Sequence, residues 1–209
     1  NAVIIGIQEH SPTSQPWFVG IEGTVTVEIM EKRSLDFRLL DHVDINDAVV
    51  VNAPPEMVWQ HVVSFPELPP PEDWLFKAGV ACPTHAEIEG EGVGAVRKCF
   101  FTTGPFVEPI TVWDEPKVLA FKVTAQPLPM RELSPYDVHP PHLDGHLQSE
   151  RGEFHLIPLP ERRTRLVGTT WYRHNMWPAS YWKIWSDFLI HRIHLRVLRH
   201  VKKLAEAEH

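Results

Sequence analysis

The sequence has few of the features that mark several large protein classes. Its longest apolar stretches, such as residues 48–51 and 118–123, are far shorter than the roughly 20 residues that cross a bilayer. Two cysteines, Cys82 and Cys99, are too few for a disulfide framework. The formal net charge of −7 argues against a nucleic-acid partner, which requires a basic face. We therefore expect a soluble, provisionally cytoplasmic protein that binds no nucleic acid and has no membrane span in this chain.

Common catalytic fingerprints are also missing. The sequence has no G-x-S-x-G, no Walker lysine-serine pair and no C-x-x-C, which argues against the commonest hydrolase, NTPase and redox enzymes. The stretch GEGVG at residues 90–94 resembles a phosphate loop, but the residues after it are typical of a strand, not of a helix N-terminus. We interpret its glycines as positive-φ positions of a β-hairpin and expect no cofactor. The symmetry of Cys82 and Cys99 about this turn predicts that they are near neighbours, as reduced thiols.

The remaining pattern predicts one α+β domain. With 209 residues, 43% of them apolar, the chain is long enough to bury a sizeable core. Residues 1–40 are interpreted as an N-terminal extension and residues 41–209 as the domain, which contains a proline- and histidine-rich loop at 126–151. The expected order is a strand, two short helices, six strands and a long helix, at residues 45–51, 56–63, 72–79, 85–89, 95–102, 107–113, 117–125, 152–158, 163–174 and 179–207.

Four short motifs carry a resemblance to a known family. They are APPEMVW at 53–59, the glycine stretch at 90–94, EPITVWDEPKVLAF at 108–121 and TRL at 164–166. In this order, followed by the terminal helix, they resemble the START-like (SRPBCC) superfamily, in particular its polyketide cyclase/dehydrase branch. The resemblance implies a helix-grip fold, in which a curved antiparallel sheet wraps around the C-terminal helix. It also implies a cavity for a lipid, sterol, polyketide or other apolar molecule, without a universal catalytic set.

Several polar residues are candidates for the cavity side of the terminal helix and its neighbouring strand. Asp187, His191 and His194 follow i, i+4, i+7 spacing and share one helix face that borders the apolar stripe. Alternation turns Tyr172 and His174 inward on the strand at 163–174. These groups are expected either to form a structural network, in which the histidines bond Asp187 and Tyr172, or to anchor a ligand or transfer a proton.

Other candidates come from neighbouring strands and from aromatic positions. Arg97 and Glu108 lie on consecutive strands and are expected to pair, at the surface more readily than in the interior. Phe121 is expected to point inward, and Trp185 and Phe188 are the helix aromatics expected to touch ligand.

The histidine-rich loop is not predicted to bind metal. His139, His142, Asp144 and His146 match neither zinc-finger nor H-E-x-x-H spacing, and the prolines between them favour a spread chain. We expect the loop to cover the cavity mouth, with Met130 and Tyr136 as apolar contacts.

Three functions are consistent with this pattern. The first is binding or transport of a hydrophobic small molecule. The second is an enzyme of the polyketide cyclase type that uses a cavity His or Tyr for proton transfer. The third is a sensory or interaction module joined to a preceding segment, because the sequence begins with Asn rather than Met.

Overall fold

A seven-stranded antiparallel sheet forms the framework of the chain. The computed structural model describes residues 43–131 and 145–208. The strand order is β1-β7-β6-β5-β4-β3-β2, so β1 and β2 are the two edges. In chain order the elements are β1 (Val43–Val51), α1 (Pro55–Val63), α2 (Trp74–Lys77), β2 (Pro83–Glu89), β3 (Val96–Phe101), β4 (Gly104–Asp114), β5 (Val118–Lys122), β6 (Leu147–Leu159), β7 (Arg163–His174) and α3 (Ala179–Ala207).

The sheet curves around α3, which confirms the predicted helix-grip α+β fold. Leu198 and Val201 of α3 are buried in one hydrophobic core with Leu119 and Leu166 of the sheet. Burial of apolar surface at about 25 cal/mol per Å² is the main force that holds the helix against the sheet. The space that this packing leaves unfilled is the candidate site.

The polar face of α3 is tied to the segment before α2. Arg192 donates a hydrogen bond to the Asp73 carboxylate at 2.7 Å, and Arg196 donates to the carbonyl of Pro69.

Within the described ranges, no helix is both long and apolar enough to span a bilayer.

Alternation along β7 decides which side chains face the helix. Leu166, Tyr172 and His174 are buried, whereas Arg165 and Arg173 are exposed, as the period-2 pattern predicts. β7 therefore turns every second side chain toward α3.

Element boundaries agree closely with the sequence except at β6. The long helix spans Ala179–Ala207, as predicted, but β6 begins at Leu147, five residues before the predicted start at 152. The additional residues pair with the end of β7, where Leu147 lies opposite His174. Their sequence is too polar to indicate a strand, so pairing with β7 determines their conformation.

The glycine stretch forms the hairpin between β2 and β3, as expected. Gly90, Gly92 and Gly94 have φ values of 91°, 80° and 95°, which favour glycine. The predicted proximity of the cysteines is wrong, because the strands are shifted in register. Cys99 lies opposite Ala86, whereas Cys82 exchanges hydrogen bonds with Thr102, and both thiols are free.

Candidate ligand-binding cavity

A cavity of about 120 Å³ lies between the inner face of the sheet and α3. An engineered apolar cavity of about 150 Å³ stays dry and binds benzene, so this space suits roughly one aromatic ring. Its lining comes from β3 to β7 and α3 and is mostly apolar: Arg97, Cys99, Phe101, Phe106, Glu108, Phe121, Val123, Ser149, Arg151, Phe154, Gly168, Thr170, Ile190, Ile193, His194, Val197 and Leu198. The structure thus brings four of the sequence-predicted residues together around one cavity: Arg97, Glu108, Phe121 and His194.

One polar part of the wall is a buried ion pair. Arg97 and Glu108 are 2% and 6% exposed, and the Arg97 guanidinium donates to the Glu108 carboxylate. The expectation of a surface pair is therefore wrong. The two residues lie opposite each other on β3 and β4, and both side chains line the cavity on the inner face of the sheet. A buried pair of this kind costs desolvation energy, which mutual pairing offsets.

Aromatic rings surround the guanidinium of this pair. The rings of Phe65, Phe121 and Phe154 have centroids 5.7, 5.6 and 5.7 Å from the Arg97 guanidinium carbon, within cation–π range. Arg97 Nε also donates to the carbonyl of Val63 at 3.1 Å. The Arg97 guanidinium therefore donates hydrogen bonds both to the Val63 carbonyl and to the Glu108 carboxylate. These bonds hold its positive charge at a defined place in the cavity wall.

The acidic and thiol groups beside Arg97 are shifted by burial. Burial raises the pKa of Glu108, although Arg97 opposes the shift. Burial, and next the nearby Glu108 carboxylate, raise the pKa of the Cys99 thiol to about 12, against the opposing charge of Arg97. Because thiolate rather than thiol is the nucleophile, Cys99 is an inert part of the wall.

A second polar part of the wall is a chain of three side chains. The ring of His194 contacts Thr170 Oγ1 through Nε2 at 2.7 Å and Asp47 Oδ2 through Nδ1 at 3.1 Å. Thr170 and His194 line the cavity, whereas Asp47 lies behind them on β1. Burial raises the pKa of Asp47, but hydrogen bonds from His194 and His191 outweigh it, and the net pKa is lowered.

Asp47 is a residue of this polar group that sequence reasoning missed. A signal was present, since Asp47 is in phase with the inward-facing Val43, Ile45 and Val51 of β1, two residues after Ile45, and therefore places a carboxylate on the inner face. Strand alternation indicates that side, but it does not indicate which helix residue lies opposite.

The expected partnership of the two histidines with Asp187 is wrong. His191 Nδ1 contacts both carboxylate oxygens of Asp47 at 2.9 Å, and its side chain is 45% exposed and does not line the cavity. Asp187 instead accepts a hydrogen bond from the Tyr172 hydroxyl at 2.5 Å and pairs with Lys183. Helix spacing placed the three residues on one side of α3 correctly, but the partners are set by the facing strand.

Tyr172 is a structural group. Its side chain is fully buried and does not line the cavity. Burial, followed by the hydrogen bond to Asp187, raises the pKa of Tyr172 far above its usual range. A phenol held in its neutral form is a poor proton donor or acceptor, so Tyr172 anchors α3 to β7 instead.

His174 is buried away from the cavity lining. It is 3% exposed, and neither ring nitrogen has a hydrogen-bond partner among the described residues. Burial lowers the pKa of His174, with a raising effect of Asp187 and a lowering effect of Lys183. His200 behaves alike, because burial lowers its pKa more than its hydrogen bond to the Pro66 carbonyl raises it.

The lowered pKa values of His174 and His200 predict that the protein is less stable in acid. Since the folded state resists protonation of His174 and His200, the unfolded state takes up more protons as pH falls below about 6.5, and stability is lost there. Urea denaturation at pH 7.5 and pH 5 is expected to show a lower midpoint at pH 5. His174→Phe is expected to reduce that difference, whereas the more exposed His155→Gln serves as the control. An unchanged difference in His174→Phe would contradict the assignment.

Trp185 and Phe188 point away from the cavity, contrary to expectation. They are 44% and 37% exposed, and their rings pack on each other with centroids 6.2 Å apart. At about 100° per residue, both lie on the far side of α3 from Ile190, His194 and Val197. Their apolar character wrongly suggested contact with a ligand. The first residue of α3 that lines the cavity is Ile190.

Metal ligands are not grouped in the described part of the chain. No cluster of three or more His, Cys, Asp or Glu with metal-binding geometry occurs in residues 43–131 and 145–208. His146 contacts Asn175 Oδ1 through Nδ1 at 2.5 Å. His139, His142, Asp144 and Tyr136, on which the loop predictions rest, lie outside the described residues.

Comparison with known sequences identifies the family. The sequence profile of the family described as "Polyketide cyclase / dehydrase and lipid transport" matches residues 42–176, well over half of the chain. The chain belongs to this family. The match includes β1 to β7 and therefore the strand side of the cavity, and it confirms the resemblance drawn from the motifs. A search of curated protein sequences found no match.

A solved structure with the same architecture supports the fold assignment of this family member. The Zhui aromatase/cyclase from Streptomyces sp. R1128 is 18% identical, with a TM-score of 0.52 over 80% of this chain and 95% of that one. Norcoclaurine synthase from Thalictrum flavum, solved in complex with dopamine and hydroxybenzaldehyde, is 15% identical, with a TM-score of 0.49 over 80% and 88% of the chains. At such low identity the first similarity shows the fold alone.

Proposed function

We propose that this protein binds a small apolar molecule, about the size of one aromatic ring, in the cavity between the sheet and α3. The observation that carries the proposal is the cavity itself, with a volume of about 120 Å³ and a mostly apolar lining. Ligand pockets typically combine such a lining with a few placed polar groups. The family description, which includes lipid transport, supports the same function.

The polar groups favour a ligand that carries a polar substituent. Arg97 with Glu108 and Thr170 with His194 are in the cavity wall, and all four hold partners within the protein. Because these polar groups already have partners within the protein, the free energy needed to remove water from them is small when an apolar ring enters the pocket. A ligand with one hydrogen-bonding group gains an additional contact at Thr170.

Benzene is a direct test of the cavity. Adding benzene is expected to raise the melting temperature of the protein, because a ligand that binds only the folded state stabilises it. Gly168 faces the cavity, and a methyl group there would contact Leu198 and Phe154 at 3.4 Å. Gly168→Ala is therefore expected to weaken benzene binding about tenfold, because its methyl group occupies part of the space that benzene needs.

The control is a substitution on an exposed position of the sheet. Ile157 is 43% exposed and does not line the cavity, so Ile157→Ala is expected to keep wild-type benzene affinity. The proposal fails if saturating benzene leaves the melting temperature unchanged. If benzene does raise the melting temperature, native mass spectrometry of protein purified from its natural host is the next experiment, because it can identify a co-purified ligand.

A second candidate function is an enzyme of the polyketide cyclase type. The observation that favours it is the side chain of His194 in the cavity wall, hydrogen-bonded through its two nitrogens to a hydroxyl and a carboxylate. Proton transfer by a positioned histidine is a common contribution to catalysis. A ligand that is bound and released unchanged would exclude this second function.

A further inference from the structure

The arrangement of Thr170, His194 and Asp47 has a defined direction of hydrogen bonding. An ionised carboxylate only accepts hydrogen bonds, so the His194 Nδ1 that contacts Asp47 Oδ2 carries the hydrogen. In the neutral ring, Nε2 is then an acceptor, and the Thr170 hydroxyl, 2.7 Å away, donates to it. The direction of both bonds follows from the acceptor-only character of Asp47.

This direction determines what the cavity offers to a ligand. Because the hydroxyl hydrogen of Thr170 points to His194, the lone pairs of Oγ1 are left to accept a hydrogen bond. Thr170 lines the cavity, so this acceptor is available to a ligand there. The complementary ligand group is a donor, such as a hydroxyl.

We infer that Thr170, His194 and Asp47 form a proton relay that takes the proton of an acidic hydroxyl, of the phenol or enol class, on a ligand in the cavity. The inference rests on the proposed binding function. The ligand hydroxyl transfers its proton to Thr170 Oγ1 while the Thr170 proton moves to His194 Nε2. The ligand becomes a phenolate or enolate, His194 becomes an imidazolium, and no oxidant or further reactant is required.

Asp47 supports the charged state that this transfer creates. A carboxylate on the distal nitrogen of a histidine holds the ring in one tautomer and stabilises the imidazolium that forms. The Asp47 side chain is 10% exposed, so little solvent screens this interaction. His191 contacts the same carboxylate from one turn earlier in α3 and holds it in place.

Other charged groups near the relay are already engaged or lie elsewhere on the wall. Arg97 is paired with Glu108 on β3 and β4, and Arg151 on β6 stacks on the Trp171 ring, 4.0 Å from its centroid. Both cations line the cavity and are present in every variant proposed below. A difference between those variants therefore reports on the relay residues.

A phenol with a coloured anion tests the relay. The probe is 4-nitrophenol, whose phenolate is detected by visible absorbance, and nitrobenzene is the matched probe without a hydroxyl. With the wild type, bound 4-nitrophenol is expected to be more ionised than free probe at the same pH. The phenolate signal is this excess of phenolate absorbance over that of the free probe. His194→Gln keeps a polar side chain but no basic nitrogen, so we expect loss of the phenolate signal and about tenfold weaker 4-nitrophenol binding.

Further variants separate a relay from a structural role. Thr170→Ser keeps the hydroxyl and is expected to retain the phenolate signal. Asp47→Asn leaves His194 and Thr170 present and is expected to reduce the ionised fraction, which keeps the test open if His194→Gln does not fold. Nitrobenzene has no hydroxyl to donate to Thr170, so in each folded variant its affinity is expected to fall less than that of 4-nitrophenol.

The outcomes distinguish the relay from the binding function. Equal binding of nitrobenzene and 4-nitrophenol, with no phenolate signal in the wild type, would overturn the relay and leave the binding function standing. An unchanged phenolate signal in both His194→Gln and Asp47→Asn would also overturn it. If neither probe binds, the relay is overturned, and the benzene experiment decides separately whether the binding function stands.

Discussion

Replacing Glu108 by leucine is expected to lower the free energy of unfolding by about 3–5 kcal/mol, because it leaves the Arg97 charge buried without its partner. Arg97 is 2% exposed and surrounded by three phenylalanine rings, which do not replace a carboxylate. An arginine does not lose its proton in a protein, so the charge cannot be removed by titration. Urea denaturation measures the loss as a lower midpoint at an unchanged slope.

The control for this prediction removes both charges. Arg97→Met combined with Glu108→Leu replaces the pair by apolar side chains of similar size, and we expect stability within about 2 kcal/mol of the wild type. The double variant is thus expected to be more stable than Glu108→Leu alone. If the single substitution costs less than about 1 kcal/mol, the pair is not the desolvated contact described above.

Gly152→Ala is expected to lower the free energy of unfolding by about 1–3 kcal/mol through overpacking. A Cβ at this position of β6 would lie 2.5 Å from Cζ of the Phe121 ring, which is itself 7% exposed and packed in the core. The ring must move, and it forms part of the cavity wall. We therefore also expect weaker benzene binding in this variant.

Gly168→Ala is the matched control on the next strand. Both glycines lie inside strands with φ outside the left-handed region, but the nearest atoms to a Cβ at Gly168 are 3.4 Å away. Alanine restricts the unfolded chain more than glycine does, so stability is expected to stay equal or rise by up to about 1 kcal/mol. Thermal denaturation of the two variants side by side is the measurement, and equal losses in both would contradict the steric argument.

Local pattern predicted most of the fold. The period of about 3.6 along residues 179–207 and the period of 2 along β7 are properties of adjacent residues, and both were confirmed. The glycine hairpin was predictable for the same reason, since positive φ at Gly90, Gly92 and Gly94 is a local requirement. The start of β6 was not predictable, because its polar residues become a strand only by pairing with β7.

Both the orientation and the partners of the site residues were predictable only in part. The sequence indicated that Phe121 and His194 face inward and that Arg97 pairs with Glu108. It placed that pair at the surface, however, and it turned Trp185 and Phe188 toward the ligand. It assigned Asp187 to the histidines, although the carboxylate that contacts them, Asp47, is 147 residues away from His194 in the chain.

By itself, therefore, the sequence determined most of the secondary structure, the family and the inward face of β7, because these depend on short-range periodicity and local backbone requirements. Tertiary structure alone decided which inward groups meet. Packing of α3 across β1 and β7 places His194 between Asp47 and Thr170, and curvature of the sheet buries Arg97 with Glu108. Such contacts depend on how distant elements cross, and no spacing along the chain encodes that directly.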